Sequence, residues 1–227
     1  MNIFDIIGPV MVGPSSSHTA GAVKIGYVAR KIVAEPIAKA EINLYGSFLA
    51  TGKGHGTDKA LVAGLLGMQP GDERIPSSFE LAKEKGLEFI FGAADLKDGH
   101  PNSVELIITA ESGNKTTIVG ESLGGSVINI ASIDGSECNF SGDNPTLIVH
   151  NNDAPGVLSK VTAMLFMENI NIATMRLIRS GRGGNAVMVI ECDDEISKAA
   201  ALNAAGQMEH QRQYANHRLL SIEGNFT

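Results

Sequence analysis

The chain has 227 residues, of which 43% are hydrophobic, so it is long and apolar enough for one large globular domain or two small ones. Its formal net charge of −7, with 18 Lys and Arg residues spread thinly, argues against nucleic acid as a partner. The start of the chain lacks the basic and apolar segments of a signal peptide, and no apolar run approaches the ~20 residues of a membrane span. We therefore expect a cytoplasmic protein with no membrane partner.

The two cysteines of the chain, Cys138 and Cys192, lie far apart and show no C-x-x-C spacing. This spacing predicts neither a disulfide framework nor a metal site held by the chain itself. We expect both side chains to be small core residues in strands. The candidate site residues therefore include no metal ligand.

The first unusual segment is Gly13–Thr19, with the sequence GPSSSHT. Apolar spacing predicts a helix from Thr19 to about Glu35, and Pro36 ends it. Backbone N–H groups at a helix start are unpaired and partly positive, so they favour a carboxylate or phosphate that neighbouring hydroxyls can orient. A helix cap needs only one hydroxyl, and residue chemistry alone favours a polar binding site and a plain cap equally.

The second unusual segment, Gly46–Asp58, has the sequence GSFLATGKGHGTD and follows a strand predicted over Ala40–Tyr45. We expect a glycine-rich loop here, followed by a helix from Lys59 to Gly67. The glycine spacing matches neither the Walker phosphate loop nor the dinucleotide fingerprint. Two interpretations remain open, a flexible loop and a loop whose backbone approaches a small ligand closely.

Residues 103–140 have the alternation and turn residues of an all-β segment, with a tight hairpin predicted at Asp134-Gly135. Within it, Gly120–Gly124 satisfies the G-x-S-x-G pattern of a nucleophile elbow. An elbow joins a strand to a helix, whereas strand-like sequence lies on both sides here, so we exclude an elbow. A glycine-rich turn or bulge at Gly124-Gly125 is predicted instead.

The composition changes at Ser141–Pro145, which predicts a boundary between two domains, residues 1–143 and 146–224. The order of elements in the second domain is β-α-β-β-α-β, the pattern of a ferredoxin-like unit. Its last helix is predicted over Ile196–Gln211 and its closing strand over His217–Ile222. The first domain is predicted to be an α/β sandwich-like unit, so the fold class of the whole chain is α+β.

The second domain resembles the ACT domain, a small-molecule sensing module, in its segments Asn152–Leu158 and Glu168–Ile172. The resemblance implies that the loop and helix start after the first strand contact an amino-acid effector. It also implies that two copies of the domain pair their sheets side by side. The effector-binding positions that it implies are Asn152, Asp153, Gly156, Val157, Leu158 and Asn171.

Three segments, Gly13–Thr19, Tyr45–Asp58 and Gly120–Gly125, are together similar in order and spacing to the β chain of the iron–sulfur-dependent L-serine dehydratase. The resemblance implies a lyase that converts L-serine to pyruvate and ammonia with a [4Fe–4S] cluster and without pyridoxal phosphate. Such a cluster needs about three or four thiolates, which the cysteines of this chain cannot supply. The resemblance therefore implies a second, α chain that holds the cluster, with the active site between the two chains.

The same resemblance implies roles for the polar residues of the first two segments. His18 and His55 are the candidates for general base and general acid, with either role open to either residue, since imidazole is suited to proton transfer near neutral pH. The candidates for substrate binding are Ser15, Ser16, Ser17, Thr19, Lys53, Gly54 and Thr57. The alternative is a non-catalytic sensor of an amino acid or anion, since the first domain is also similar to the allosteric substrate-binding domain of some phosphoglycerate dehydrogenases.

Overall fold

The structure is a computed structural model that describes residues 12–197 and the strand 219–222. These residues form two compact units, the first from residues 12–135 with Asn139–Ser141 and the second from Ser136–Cys138 with Gly142 onward. No helix in the described part of the chain is long and apolar enough to cross a membrane. The predicted α+β class is confirmed, because each unit combines a largely antiparallel sheet with helices.

The first unit begins with a π-helical turn over Ser16–Gly21, which continues directly into helix α1 (Ala22–Val33). The predicted helix is therefore present, but its first turn is wound more widely than an α-helix. The further helices are α2 (Gly46–His55), α3 (Thr57–Leu65) and α4 (Ser78–Glu84). The strands are β1 (Ile37–Tyr45), β2 (Glu88–Ala93), β3 (Asn102–Ala110), β4 (Lys115–Gly124) and β5 (Val127–Ile133), followed by β6 (Ser136–Phe140), whose residues divide between the two units.

These strands form one sheet in the order β2-β1-β3-β4-β5-β6. Strand β1 runs parallel to β2 and antiparallel to β3, and β4 is antiparallel to both of its neighbours. Burial alternates along β3 and β4, so one face of the sheet is buried. Helix α1 packs on that face so closely that a Cβ atom at Gly120 would lie 2.5 Å from the Ile25 side chain.

Helices α1 and α3 touch through their backbones at Gly26 and Gly64. A Cβ atom at Gly26 would lie 2.4 Å from the Leu61 carbonyl oxygen, and one at Gly64 would lie 2.1 Å from the Val23 carbonyl oxygen. No side chain larger than hydrogen fits at either position. The crossing brings the π-helical turn at the start of α1 beside the corner between α2 and α3.

The prediction of a glycine-rich loop over Gly46–Asp58 is wrong, because Gly46–His55 forms helix α2 and only Gly56 separates it from α3. Each glycine inside a helix costs about 1 kcal/mol relative to alanine, which is why the sequence favoured a loop. Tertiary packing outweighs this cost, since Phe48 is fully buried and Gly52 of the same helix is buried as well. Gly56 has a φ angle of 70°, which turns the chain sharply between the helices.

The exclusion of a nucleophile elbow is confirmed, because Gly120–Gly124 lies inside strand β4 and the chain then turns into strand β5. The register shifts between Ser122 and Gly124, which is the bulge predicted in this region. The tight turn predicted at Asp134-Gly135 is also confirmed, with φ angles of 50° and 76°. The end of β4 lies next to the π-helical turn, so the β4–β5 hairpin borders the serine-rich segment.

The second unit contains strands β7 (Thr146–Asn152), β8 (Ile172–Arg179), β9 (Asn185–Cys192) and β10 (Leu219–Ile222), with helix α5 (Val157–Met167). The sheet order is β10-β7-β9-β8, and each neighbouring pair is antiparallel. Helix α5 contributes Val161 and Leu165 to a core shared with Leu147 and Ile190 of the sheet. The helix predicted over Ile196–Gln211 lies outside the described residues from position 198 onward.

The substitution Gly64→Ala is expected to lower the free energy of unfolding by about 1–3 kcal/mol, because the added methyl group must push two helix backbones apart. The matched control is Gly54→Ala, a helical glycine whose added Cβ would meet no heavy atom within 4 Å. The control should be neutral or stabilising by up to about 1 kcal/mol, because alanine has the higher helix propensity. Urea unfolding followed by circular dichroism measures both, and equal stability of the two variants would contradict the close crossing.

Candidate active site

The two polar segments meet where the π-helical turn faces the last turns of α2. The Thr19 hydroxyl donates a hydrogen bond to the His55 carbonyl oxygen at 3.0 Å. The ring centroids of His18 and His55 lie 4.8 Å apart, and Phe48 makes a T-shaped contact with the His18 ring at 5.3 Å. The structure therefore brings together the two histidines that the sequence analysis named as proton-transfer candidates.

The hydrogen bonds around His18 assign its tautomer. The Thr51 hydroxyl donates to the Ser47 carbonyl oxygen at 3.0 Å, which uses its single proton. In the 3.2 Å contact between Thr51 Oγ1 and His18 Nε2, the imidazole N–H is therefore the donor. Nδ1 of the neutral ring is then an acceptor, and the Ser17 hydroxyl donates to it at 3.2 Å.

Ser15 supports the same arrangement at the helix start. Its side-chain oxygen accepts the backbone N–H of His18 at 3.1 Å, which is an N-cap interaction. It also lies 3.3 Å from Ser17 Oγ, and Ser15 is the donor there because the Ser17 proton is directed to His18. The hydroxyls of Ser15 and Ser17 thus form a short hydrogen-bond chain that ends on His18 Nδ1.

The surroundings of His18 favour its neutral form. Burial contributes most to lowering the pKa of His18 below its ordinary value of 6.5, and the nearby His55 lowers it further. The Ser47 carbonyl opposes this shift more weakly, because it accepts a hydrogen bond that favours the charged ring. His18 is consequently a neutral imidazole near neutral pH.

His55 differs from His18 in having one ring nitrogen without a partner among the described residues. Its Nδ1 lies 3.1 Å from the Thr51 carbonyl oxygen, which can only accept, so Nδ1 carries a proton. Nε2 is then the unprotonated nitrogen of the neutral ring. His55 also lines a cleft of about 360 Å³, so it is the histidine placed to exchange a proton with a ligand.

Three of the residues predicted to bind substrate line this cleft, namely Thr19, Lys53 and Gly54. Lys59 lines it too, but its ammonium group donates to the Pro76 carbonyl oxygen at 2.7 Å. The Lys53 ammonium group makes no hydrogen bond or ion pair with another residue of the described ranges. Lys53 is therefore the lysine of this cleft that is available for an anionic ligand.

The remaining residues predicted to bind substrate lie away from the cleft lining, and they are Ser15, Ser16, Ser17 and Thr57. The serines belong to the helix start, and Thr57 is fully buried with an Oγ1 that has no partner in the described part of the chain. Sequence reasoning missed Thr51, which contacts both histidines. Its position four residues before His55 was an available signal, but the segment was predicted to be a loop.

The side chains of two predicted effector-binding residues, Asp153 and Asn171, are hydrogen-bonded within the second unit. Asp153 accepts hydrogen bonds from the Arg179 guanidinium at 2.8 Å and from the Gly183 N–H at 3.1 Å. The Gly183 N–H and then Arg179 hold the pKa of Asp153 below its usual range. Asn171 donates to Asp193 at 2.6 Å. The other predicted positions lie at the end of β7 and the start of α5, and they are Asn152, Gly156, Val157 and Leu158.

Comparison with known proteins assigns both units to families. The family model of the serine dehydratase beta chain matches residues 2–79, and that of the ACT domain matches residues 145–209. The L-serine dehydratase beta chain of Peptoniphilus asaccharolyticus is 41% identical over 197 residues, which cover 86% of this chain and 89% of that protein. The chain belongs to the L-serine dehydratase β-chain family.

A second relative is the probable L-serine dehydratase beta chain of Bacillus subtilis (strain 168), with 42% identity over 195 residues, or 86% of this chain and 88% of that protein. The D-3-phosphoglycerate dehydrogenase of the same organism is 26% identical over 182 residues, which cover 75% of this chain and 32% of that protein. The resemblance to serine dehydratase β chains and to the ACT domain is thereby confirmed.

The two cysteines do not fit as ligands of an iron–sulfur cluster. Cys138 and Cys192 are both buried in strands, which confirms their prediction as small core residues. Burial raises the pKa of the Cys192 thiol to about 11, whereas a cluster ligand must be a thiolate. Among the described residues, no group of three or more His, Cys, Asp or Glu side chains is arranged to hold a metal ion.

The substitution His55→Asn should raise the pKa of His18 toward 6.5, because the electrostatic interaction with His55 opposes protonation of His18. A proton NMR titration of the imidazole signals measures this shift in the purified chain. The control is His100→Asn, which changes a loop histidine whose Nδ1 accepts the Asn102 N–H. A His18 pKa at or above 6.5 in the unsubstituted chain would contradict the assigned neutral form.

Proposed function

We propose that this chain is the β subunit of an L-serine dehydratase and that it supplies groups that bind L-serine and move its protons. The observation that carries the proposal is the contact between a neutral His18 and His55 at a cleft that also holds Lys53. Membership of the serine dehydratase β-chain family supports the reaction, which is β-elimination of L-serine to pyruvate and ammonia.

His55 acts as the general base in this proposal. Its Nε2 takes the proton from the serine Cα, the electron pair of that bond forms the Cα–Cβ double bond, and the Cβ–oxygen bond breaks. The hydrogen bond from Nδ1 to the Thr51 carbonyl stabilises the imidazolium that results. The departing hydroxide takes that proton back from the His55 imidazolium to become water, and a water molecule then hydrolyses the aminoacrylate to pyruvate and ammonia.

His18 supports His55 by staying neutral and fixed. A charged ring at a centroid distance of 4.8 Å would repel the imidazolium that forms on His55. The hydrogen bonds with Ser17 and Thr51 on opposite sides hold the His18 ring in one orientation. The serine run therefore contributes by orienting His18, whereas Lys53 is assigned to the substrate carboxylate.

A second, α chain completes the enzyme in this proposal. A [4Fe–4S] cluster needs about three or four thiolates, and the two buried cysteines of this chain do not provide them, so the cluster is assigned to the α chain. Three large apolar side chains are about half exposed on elements that carry the site, Leu49 on α2 and Leu123 and Val127 on the β4–β5 hairpin. This exposed apolar surface supports contact with the α chain.

The ACT unit pairs two copies of the subunit in this proposal. Strand β8 lies at the edge of the four-stranded sheet and exposes Met175 and Leu177. An edge strand with unpaired backbone groups and apolar side chains is suited to pairing with a second copy. An amino-acid effector is assigned to the end of β7 and the start of α5, at Asn152, Gly156, Val157 and Leu158.

The substitution His55→Asn, tested in the enzyme assembled with its α chain, is expected to lower kcat for L-serine by about 10²–10⁴-fold. The loss arises because asparagine cannot take the proton from Cα. Serine-dependent pyruvate release measures kcat, and the matched control that should retain it is His150→Asn, which changes a histidine of β7 in the second unit. A His55→Asn enzyme with unchanged kcat and an altered response to a bound amino acid would identify the chain as a sensor and contradict the proposal.

A further inference from the structure

Ser122, in the G-x-S-x-G segment excluded as an elbow, lies directly against the π-helical turn. Its side chain is fully buried, and its hydroxyl donates to the Ser17 carbonyl oxygen at 2.9 Å. Ser17 in turn directs its own hydroxyl to His18 Nδ1. We propose that Ser122 is a positioning residue that holds Ser17 where it orients His18, an inference that rests on the proposed function.

The packing at Gly21 shows that the turn is shaped around the Ser122 hydroxyl. A Cβ atom at Gly21 would lie 2.1 Å from Ser122 Oγ and 2.9 Å from Ser122 Cβ. The glycine therefore creates the space that the serine side chain fills. The hydroxyl reaches the Ser17 carbonyl because the last residue of the π-helical turn has no side chain in its path.

The strand that carries Ser122 is itself held in place by polar contacts. The Asn102 side-chain amide donates to the Ser122 carbonyl oxygen at 3.4 Å. Beyond the bulge, the Lys24 ammonium group donates to the Ser126 carbonyl oxygen at 3.4 Å, in a buried contact between α1 and the hairpin turn. Ser122 therefore presents its hydroxyl from a paired strand rather than from a loop.

The role of Ser122 follows from the direction of the hydrogen bonds. A backbone carbonyl accepts from Ser122, and the hydroxyl of the same residue, Ser17, donates to His18. Loss of the first bond removes a contact that fixes the Ser17 carbonyl, and the Ser17 hydroxyl can then turn from the imidazole toward water. His18 would lose its fixed ring orientation beside His55 without any change to either histidine.

A double-mutant cycle in the assembled two-chain enzyme tests this role. Ser17→Ala and Ser122→Ala are each expected to lower kcat/KM for L-serine about tenfold, the size of one lost hydrogen bond. The double variant should be no worse than Ser17→Ala alone, because both changes break the same connection to His18. A double variant reduced about a hundredfold would show independent effects and overturn the inference, as would a Ser122→Ala enzyme with unchanged kcat/KM.

The control variant is Ser132→Ala, which changes a partly exposed serine of β5 opposite Val119 and should leave kcat/KM unchanged. A second pair of variants separates packing from hydrogen bonding. Gly21→Ala should lower the melting temperature, and adding Ser122→Gly should restore much of it by making room for the new methyl group, while kcat/KM stays low. Recovery of kcat/KM together with the melting temperature would overturn the inference, because packing alone would then explain Ser122.

His55→Asn in the same assay distinguishes failure of this inference from failure of the proposed function. If His55→Asn abolishes turnover while Ser122→Ala behaves as the unsubstituted enzyme does, only the role of Ser122 is wrong. If His55→Asn also turns over serine normally, the proposed function and the inference both fall.

Discussion

The contact between the α1 and α3 backbones at Gly26 and Gly64 is the constraint on which the site depends. Each position has space for hydrogen only, so the two helices approach more closely than any other residue pair would allow. The start of α1 continues the π-helical turn that bears His18. The start of α3 follows the turn at Gly56 that ends the helix bearing His55. A single close crossing therefore sets where both histidines lie.

The chemistry proposed for His18 and His55 follows from a difference between the hydrogen bonds of the two imidazole rings. His18 has both ring nitrogens bonded within the protein, with Ser17 as donor on one side and Thr51 as acceptor on the other. His55 has a proton fixed on Nδ1 by the Thr51 carbonyl, which leaves Nε2 as the basic nitrogen. The single residue Thr51 thus assigns the tautomer of both rings, through its hydroxyl to one and its carbonyl to the other.

Much of the fold followed from local patterns in the sequence. The apolar spacing of Val23, Val28 and Ile32 predicts α1, and all three side chains are fully buried in the structure. The Asp134-Gly135 pair predicts a tight hairpin because both residues tolerate a positive φ angle. These features depend on residues close together in the chain, so sequence reasoning reaches them.

Helix α2 and the arrangement of the site did not follow from such patterns. Three glycines and little amphipathic character made Gly46–His55 look like a loop, and the contacts that stabilise it come from elements distant in the chain, such as the packing around Phe48. The sequence motifs contain both histidines. The different roles proposed for Ser17 and Lys53, however, depend on which groups face the cleft. That geometry arises only when α1, α2 and β4 are assembled.

In our proposal this chain supplies the general base, His55, and the histidine that supports it, whereas the cluster of the enzyme lies on a second chain. The most direct measurement is serine-dependent pyruvate release under anaerobic conditions with iron and sulfide, for this chain, for a cysteine-rich α chain, and for their mixture. We expect release by the mixture and by neither chain alone. An α chain that releases pyruvate as fast alone as in the mixture would contradict it, because no group of this chain would then be needed.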